Sequence, residues 1–318
     1  MKTYNRYITL AAIALTFAAC SQDEDFAPQT DGDAVKINAT IGTLPQTRLA
    51  YETNGTTTFA NGDQIRVINQ TRSGQSKSDA AYKFDGTAWT PATATNYVVW
   101  EGTGANTFYG VHPVADYSSY TKFTIPEDQD TDARLTAADW MTATHSGTQP
   151  QDGTINLAFQ HLLTKVTVIL KKWNSEFDDP NSLTINDLKI CSMGTVITAP
   201  YSQDATTGTT TATIVSDKES IDITPLKAGT DPYPTFTAIV APNATYAASD
   251  VFVTFDIDLD TFTVLAKANV LTDGLQPGKH YTFELTVGKE KAVISSVAVT
   301  DWTPQTIDGG VAEAEVTE

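Results

Sequence analysis

The sequence contains few cysteines and histidines, and their scarcity excludes several kinds of site. Of 318 residues, two are cysteine and four are histidine. No histidine has a second histidine or a cysteine at the short spacings that a metal site needs. The chain also has no nucleophile elbow, P-loop or dinucleotide-binding glycine motif. We therefore expect no catalytic residue, no metal site and no cofactor.

Positive charge is also scarce. The chain has 20 Lys and Arg against 38 Asp and Glu, which gives a formal net charge of −18. Nucleic-acid binding depends on basic side chains that neutralise phosphates, and no block of such residues occurs here. This composition excludes a nucleic-acid partner and favours solubility outside the cell.

Long apolar runs are missing beyond the first twenty residues. Residues 8–19 form one apolar segment, which is shorter than the roughly 20 residues of a membrane-spanning helix. Lys2 and Arg6 precede this segment, and Cys20 follows it directly. This pattern is typical of a bacterial lipoprotein signal peptide, 1–19, with Cys20 lipidated and anchored in the outer membrane. The alternative is an ordinary signal-peptide cleavage that leaves Cys20 as a spare thiol.

The mature chain begins with a polar stretch and continues as many short strands. Residues 20–34 are rich in acidic and amide side chains, and we interpret them as an acidic tether. Further along, β-branched and aromatic residues alternate with polar ones between turn signals such as Asp85-Gly86. The only helix that we predict in the first half is Asp132–Ala138, with Asp132 as its N-cap. The pattern predicts an all-β protein.

The apolar stretch 155–170 divides the mature chain. It alternates on both sides of His161 but changes phase there, and no linker composition separates the two parts. We therefore predict that the last strand of one domain passes directly into the first strand of the next. The expected β-sandwich domains are 35–159 and 160–318.

The second cysteine, Cys191, lies in a strand-like run. If Cys20 is lipidated, Cys191 has no cysteine partner, and we expect it to pack as a small apolar residue. A Cys20–Cys191 disulfide is the alternative.

Two histidines and three aspartates were the strongest remaining candidates for a site. His161 lies at the predicted junction and His280 begins a strand, so we expect both to be structural. Asp256, Asp258 and Asp260 alternate at a strand end and could hold calcium. They lack the glycine and the closing glutamate of an EF-hand loop, which favours solvated turn residues.

Four segments together resemble the fimbrillin-like (Mfa-like) family of Bacteroidetes, the subunits of type V pili. The first is the lipidation signal with its acidic run, which is similar to the surface-export signal of Bacteroidetes lipoproteins. The others are similar to the family's GD-x-I, F-x-H and L-x-P-G-x-x-Y-x-F segments. In chain order the four are Leu15–Asp25, Asn61–Val67, Leu157–Val166 and Leu275–Leu285.

The resemblance implies two tandem transthyretin-like β-sandwich domains and a first strand that proteolysis removes. Removal would open a groove that a strand of the next subunit fills, with backbone hydrogen bonds for affinity and side-chain pockets for specificity. The segment 35–41 would be the removable strand. It alternates apolar and polar residues, so we also predict from its pattern a half-buried strand. The side chains expected on its apolar face are Val35, Ile37, Ala39 and Ile41.

The resemblance also implies a processing site and a donor segment. We predict cleavage between Arg48 and Leu49, in a proline-containing loop that a protease can reach. Arg72 is the alternative site, and Arg48 could also be an ordinary surface residue of a permanently lipidated protein. The candidate donor strand has small apolar side chains, which weakens that assignment. Its residues are Ala312, Ala314 and Val316.

By this resemblance the protein is expected to be a structural subunit of a surface-exposed fimbrium with a role in adhesion. Its partners would be other pilus subunits, identical or homologous, and the outer membrane through its lipid. The alternative is a surface lipoprotein that does not polymerise, such as a tip or anchor adhesin for a host protein or glycan. An enzyme of unrecognised type is a third hypothesis, which the lack of clustered histidines disfavours.

Overall fold

The computed structural model describes residues 34–42, 59–114, 122–173, 183–198, 201–203, 210–212, 215–216, 220–243, 245–258, 260–266, 274–289 and 292–302. Several predictions fall outside these residues: the signal peptide, the lipidated Cys20, and the Arg48–Leu49 bond. The three candidate donor residues also lie outside them, namely Ala312, Ala314 and Val316. These assignments stay predictions.

The described residues are predominantly β-strand, which confirms the all-β prediction. In chain order the strands are β1 (Lys36–Ile41), β2 (Gln64–Asn69), β3 (Asp79–Phe84), β4 (Trp89–Pro91), β5 (Asn106–His112), β6 (Lys122–Thr124), β7 (Met141–Gly147), β8 (Thr154–His161), β9 (Thr164–Trp173), β10 (Ile185–Ser192), β11 (Val196–Thr198), β12 (Tyr201–Gln203), β13 (Thr210–Ala212), β14 (Val215–Ser216), β15 (Ile221–Ile223), β16 (Leu226–Ala228), β17 (Thr235–Val240), β18 (Val251–Ile257), β19 (Asp260–Leu265), β20 (Lys279–Val287) and β21 (Ala292–Asp301).

Helical structure is limited to two short elements in the described residues. A 3-10 helix spans Gln70–Arg72, and the α-helix α1 spans Asp132–Ala138 as predicted. The predicted N-cap was wrong by one residue. Thr131 has extended backbone angles and its Oγ1 accepts a hydrogen bond from the Arg134 amide, while Asp132 lies inside the first turn. There its carboxylate favourably faces the positive end of the helix dipole.

A seven-stranded sheet encloses the first apolar core. Its strand order is β1-β8-β7-β5-β2-β3-β4, and all pairs are antiparallel except β1 with β8. The two edges come close to each other, because the Trp89 indole on β4 donates to the Ala39 carbonyl on β1 at 3.4 Å. Alternate side chains of each strand point inward, so the curled sheet buries one continuous apolar cluster drawn from residues 35–159.

Two further sheets form a sandwich around the second core. One has five strands in the order β16-β17-β9-β20-β21, and the other has four in the order β15-β10-β18-β19. Phe252 of the four-stranded sheet meets Phe283 of the five-stranded sheet, with ring centroids 4.5 Å apart. Smaller sheets combine β14, β11 and β6, and β12 with β13.

The two cores meet where β8 passes into β9. Only Leu162 and Leu163 separate these strands, and both side chains are buried. The second core also takes side chains from the first half of the chain, among them Tyr109, Leu135 and Trp140. The division of the chain into the domains 35–159 and 160–318 stays a prediction.

Candidate functional site

The edge of the seven-stranded sheet is formed by β1. It pairs in parallel with β8, from Lys36 opposite Thr154 to Ile41 opposite Phe159. At its ends the Lys36 amide donates to the Gly153 carbonyl at 3.0 Å, and the Gly42 amide donates to the Phe159 carbonyl at 2.8 Å. The predicted strand at 35–41 is therefore present as an edge strand.

The apolar face of β1 is buried. Val35, Ile37, Ala39 and Ile41 are between 4% and 9% exposed, whereas the side chains between them include the exposed Lys36 and Asn38. Burying a side chain of the size of Val or Ile contributes about 1.5–3 kcal/mol. The burial follows the predicted alternation from Val35 to Ala39 and departs from it at Thr40, which is buried as well.

On its other side β1 has few backbone partners in the part of the chain that the structure describes. Just before the strand, the Val35 amide donates to the Val98 carbonyl at 2.9 Å. The Trp89 indole is a further contact on this side. Toward β8, the exposed Asn38 Nδ2 donates to Asn156 Oδ1 at 2.8 Å in addition to the backbone pairing.

The inward side chains of β8 lie beside those of β1 on the same face of the sheet, opposite Ile37, Ala39 and Ile41. On β8, the inward side chains Ile155, Leu157 and Phe159 are fully buried. Aromatic rings continue the surface, with Phe59 in edge contact with Trp89 at 5.0 Å and with Phe159 at 5.4 Å between centroids. A strand with alternating apolar side chains matches both this apolar face and the edge of β8 that removal of β1 would leave unpaired.

The His161 side chain is buried beside Asp139. His161 Nδ1 and Asp139 Oδ1 are 2.8 Å apart, and both side chains are almost fully buried. The imidazole stacks on the Trp302 indole, with centroids 4.0 Å apart and planes 6° apart. These contacts hold the end of β8, as expected of a structural histidine. Sequence reasoning missed Asp139 and Trp302, because no local pattern links three residues so far apart in the chain.

Two of the four segments that carry the family resemblance meet at this point. The Gly278 amide donates to the Leu163 carbonyl, and the Trp302 amide donates to the Gly278 carbonyl, both at 2.9 Å. Gly278 has φ of +67°, and a Cβ there would lie 3.3 Å from the His161 carbonyl oxygen. Both the backbone angle and the close approach favour glycine at this position.

Buried ionisable groups surround the junction. Burial lowers the pKa of His112, partly offset by the charge of Asp139, and His112 Nδ1 lies 2.9 Å from the Gln64 carbonyl. Burial likewise lowers the pKa of Lys165, again offset by Asp139. The Asp139 carboxylate therefore acts on both buried basic groups, and for His112 the Gln64 carbonyl and the charge of Asp63 add to its effect.

The alternative processing site, Arg72, is held in place. Its Nε donates to the Ser76 carbonyl at 2.8 Å, and its guanidinium forms an ion pair with Glu101. The following Ser73 amide donates to the Gln70 carbonyl at 3.2 Å, so the bond after Arg72 belongs to a hydrogen-bonded turn. A protease needs an extended, free backbone, which this turn does not present.

The remaining candidates have ordinary surroundings. Cys191 is a free, buried thiol whose pKa burial raises to about 11. Asp256 accepts a hydrogen bond from Thr261 Oγ1 at 2.7 Å, and Asp258 has a positive φ in the turn between β18 and β19. Among the described residues, no three His, Cys, Asp or Glu side chains are grouped as a metal site would require. No helix within those residues has the length and hydropathy to span a membrane.

Comparison with known proteins identifies relatives. A model of the family described as fimbrillin-like matches residues 47–302. No curated protein matches the sequence.

Solved structures share the fold. A candidate cell adhesion protein from Bacteroides uniformis is 18% identical with a TM-score of 0.57, and the match covers 87% of this chain and 100% of that one. A second, from Bacteroides ovatus, is 15% identical with a TM-score of 0.56, covering 86% and 99%. At these identities the likeness is one of fold.

Proposed function

The chain belongs to the fimbrillin-like family, and from this premise we propose that it is a structural subunit of a cell-surface fimbrium. In this proposal it is exported as a lipoprotein, anchored through Cys20 in the outer membrane, and cut after Arg48. It then assembles with identical or homologous subunits by strand exchange, with a role in adhesion. The proposed role is structural rather than enzymatic.

The observation that carries the proposal is the position of β1. It lies at a sheet edge, pairs with β8 along one side, and buries its apolar side chains in the first core. Removing such a strand uncovers both a row of backbone donors and acceptors and a set of side-chain pockets. Those two features together are what β-augmentation requires of a receiving site.

The proposed cut at Arg48 lies between β1 and β2, so cleavage there separates β1 from the rest of the chain. The held conformation of Arg72 supports Arg48 over the alternative. Arg72 also follows β2, and a cut there would release a central strand of the seven-stranded sheet together with β1. Such a cut would remove part of the core rather than open one edge.

The test uses the mature chain and an arginine-specific protease. We expect the new N-terminus to be Leu49, read by intact mass and N-terminal sequencing, followed by SDS-resistant ladders on unboiled gels. Arg48→Lys is expected to abolish the cut and the ladders, because the protease requires arginine. The matched control Arg72→Lys keeps the charge and should be processed normally.

Two other outcomes would overturn parts of the proposal. Cleavage at Arg48 without ladders would overturn strand-exchange polymerisation and favour the alternative, a tip or anchor adhesin for a host protein or glycan. The small side chains of Ala312 and Ala314 are the feature that favours this second candidate. Absence of a cut at Arg48 would overturn the proposed processing.

A further inference from the structure

Thr40 is buried although it lies on the outward face of β1. Its side chain is 8% exposed, whereas Lys36 and Asn38 on the same face are exposed. Side chains two residues apart along a strand share a face, so Thr40 belongs with these polar residues by its position in the strand. The outward face of β1 is therefore covered near its C-terminal end and open to solvent before it.

The Thr40 hydroxyl has no hydrogen-bond partner among the residues that the structure describes. Its Oγ1 is buried and makes no hydrogen bond. Opposite it on β8 is Ala158, whose methyl group can neither donate nor accept a hydrogen bond. A buried hydroxyl without a partner has lost its hydrogen bonds to water and gained none in return, which destabilises the state that contains it. One position of β1 therefore weakens the pairing of this strand with its own protein.

The contact between Asn38 and Asn156 marks the register that places Thr40 opposite Ala158. The two asparagines lie opposite each other in the pairing of β1 with β8, and their side-chain amides are hydrogen-bonded at 2.8 Å. A slip of β1 by two residues would keep its apolar side chains on the core face, because side chains alternate with a period of two. Such a slip would break the amide contact. The contact therefore distinguishes the observed register from slipped ones.

We propose that the β8 edge prefers, over β1, a strand of another polypeptide that carries a β-branched apolar residue such as valine in the place of Thr40. This strand lies in the orientation and register of β1, with its alternate apolar side chains on the core face. Valine has nearly the shape of threonine but buries no hydroxyl, so it fills the covered position without an unpartnered polar group. Thr40 thus makes β1 the weaker of the two occupants.

This inference rests on the proposed role of β1 as a removable strand, and it names the chemistry of the strand that takes its place. Two strands that made equal contacts with the β8 edge would exchange with little change in free energy. The unpartnered hydroxyl of Thr40 shifts that balance toward the incoming strand. Loss of this penalty is expected to strengthen binding about tenfold, which corresponds to about 1.4 kcal/mol.

Hydrogen–deuterium exchange on the uncleaved mature chain tests the preference with β1 itself. Thr40→Val is expected to slow exchange of the β1 amides about tenfold, because the paired strand then buries no unpartnered hydroxyl and opens less often. The matched control Thr40→Ser keeps the hydroxyl and loses only the methyl group, so it should not slow exchange. Exchange of β1 in Thr40→Val at the rate of the natural chain, or faster, would overturn the preference.

Synthetic peptides of residues 34–42 test the binding of a strand from another polypeptide. The receiving protein is the uncleaved Ile37→Asp chain, in which a charge on the core face of β1 weakens the pairing of that strand with β8. The peptide with Thr40→Val is expected to bind about tenfold more tightly than the peptide of natural sequence, as measured by the fluorescence anisotropy of labelled peptides. The control peptide with Thr40→Ser should bind no more tightly than the natural one.

Equal affinities of the natural and Thr40→Val peptides, or no binding of either to the folded Ile37→Asp chain, would overturn the inference. If Ile37→Asp unfolds the chain, which loss of protection in β9 and β20 would reveal, the exchange result for Thr40→Val decides alone. Because every measurement is made before cleavage, failure of the preference is distinguishable from failure of processing at Arg48 or of ladder formation.

Discussion

Several ionisable side chains of this protein lie where burial disfavours their charged form. His280 shows the effect with a clear cause. Its Nε2 lies 2.8 Å from Thr167 Oγ1, and burial together with the charge of Lys165 lowers its pKa to about 4. The unfolded chain has a histidine pKa near 6.5. The folded state therefore binds this proton less readily than the unfolded state does.

The consequence is a loss of stability in mild acid. As pH falls from about 6.5 towards about 4, protonation of His280 in the unfolded chain lowers the free energy of unfolding by up to about 3 kcal/mol, at about 1.4 kcal/mol per pKa unit. His280→Gln should reduce the acid-induced loss by about 2 kcal/mol. Urea unfolding of both proteins at pH 7 and pH 4.5 measures the difference, and equal losses would contradict the assignment.

Cys191 belongs to the same scale. Its burial and raised pKa leave little thiolate at neutral pH, so it behaves as a small apolar side chain, as the strand-like sequence around it predicted. The local sequence predicts the strand that contains Cys191, and the position of that strand in the fold buries the side chain.

At the scale of strands, β5 and β8 approach each other across the first core. Gly110 on β5 makes room for this approach, because a Cβ there would lie 2.6 Å from Phe159 Cζ and 3.2 Å from Leu157 Cδ1. Leu157 and Phe159 lie opposite Ala39 and Ile41 of β1. The close approach of β5 therefore bears on two side chains that pack beside β1.

Gly110→Ala should destabilise the protein by about 1–3 kcal/mol, since overpacking forces the neighbouring side chains from their positions. Gly104→Ala is the matched control, with nothing within 4 Å of the added Cβ, and it should be nearly neutral. Chemical denaturation followed by tryptophan fluorescence gives both values. Equal stabilities of the two variants would show that Phe159 relaxes without cost.

Contacts between distant segments are also made at this scale. The bidentate contact of buried Gln129 with the Ile239 backbone, at 2.9 and 2.8 Å, ties the segment before α1 to β17. The polar sequence around Gln129 gives no local sign of this buried contact.

For the whole molecule, the dominant property is the net charge of −18. Two like-charged subunits repel each other over about the Debye length, which is roughly 30 Å at 0.01 M salt and 8 Å at 0.15 M. In the proposed strand exchange, processed subunits would have to come into contact against this repulsion.

Ladder formation by the processed chain should accelerate with added salt. Raising NaCl from about 0.01 to about 0.15 M is expected to increase the initial rate several-fold, because screening removes most of the repulsion between exposed charges. The rate is read from the loss of monomer on unboiled gels. Slower assembly at the higher salt would mean that attraction between opposite charges guides the encounter.

Much of the local structure is predictable from short stretches of the sequence. Period-two alternation identified β1 and the phase change at His161, and turn residues and propensities placed α1 within 132–138, because these signals act over a few neighbouring residues. The motifs around His161 and Gly278 indicated the family.

Which distant elements meet depends on how the whole chain folds. Asn38 and Asn156, 118 residues apart, face each other on paired strands, and β1 runs parallel to β8. The contacts of Asp139, His161 and Trp302 are likewise made between separate strands and loops. Such contacts depend on the free energy of closing long loops and packing whole sheets. The local pattern of apolar residues carries no information about these long-range terms.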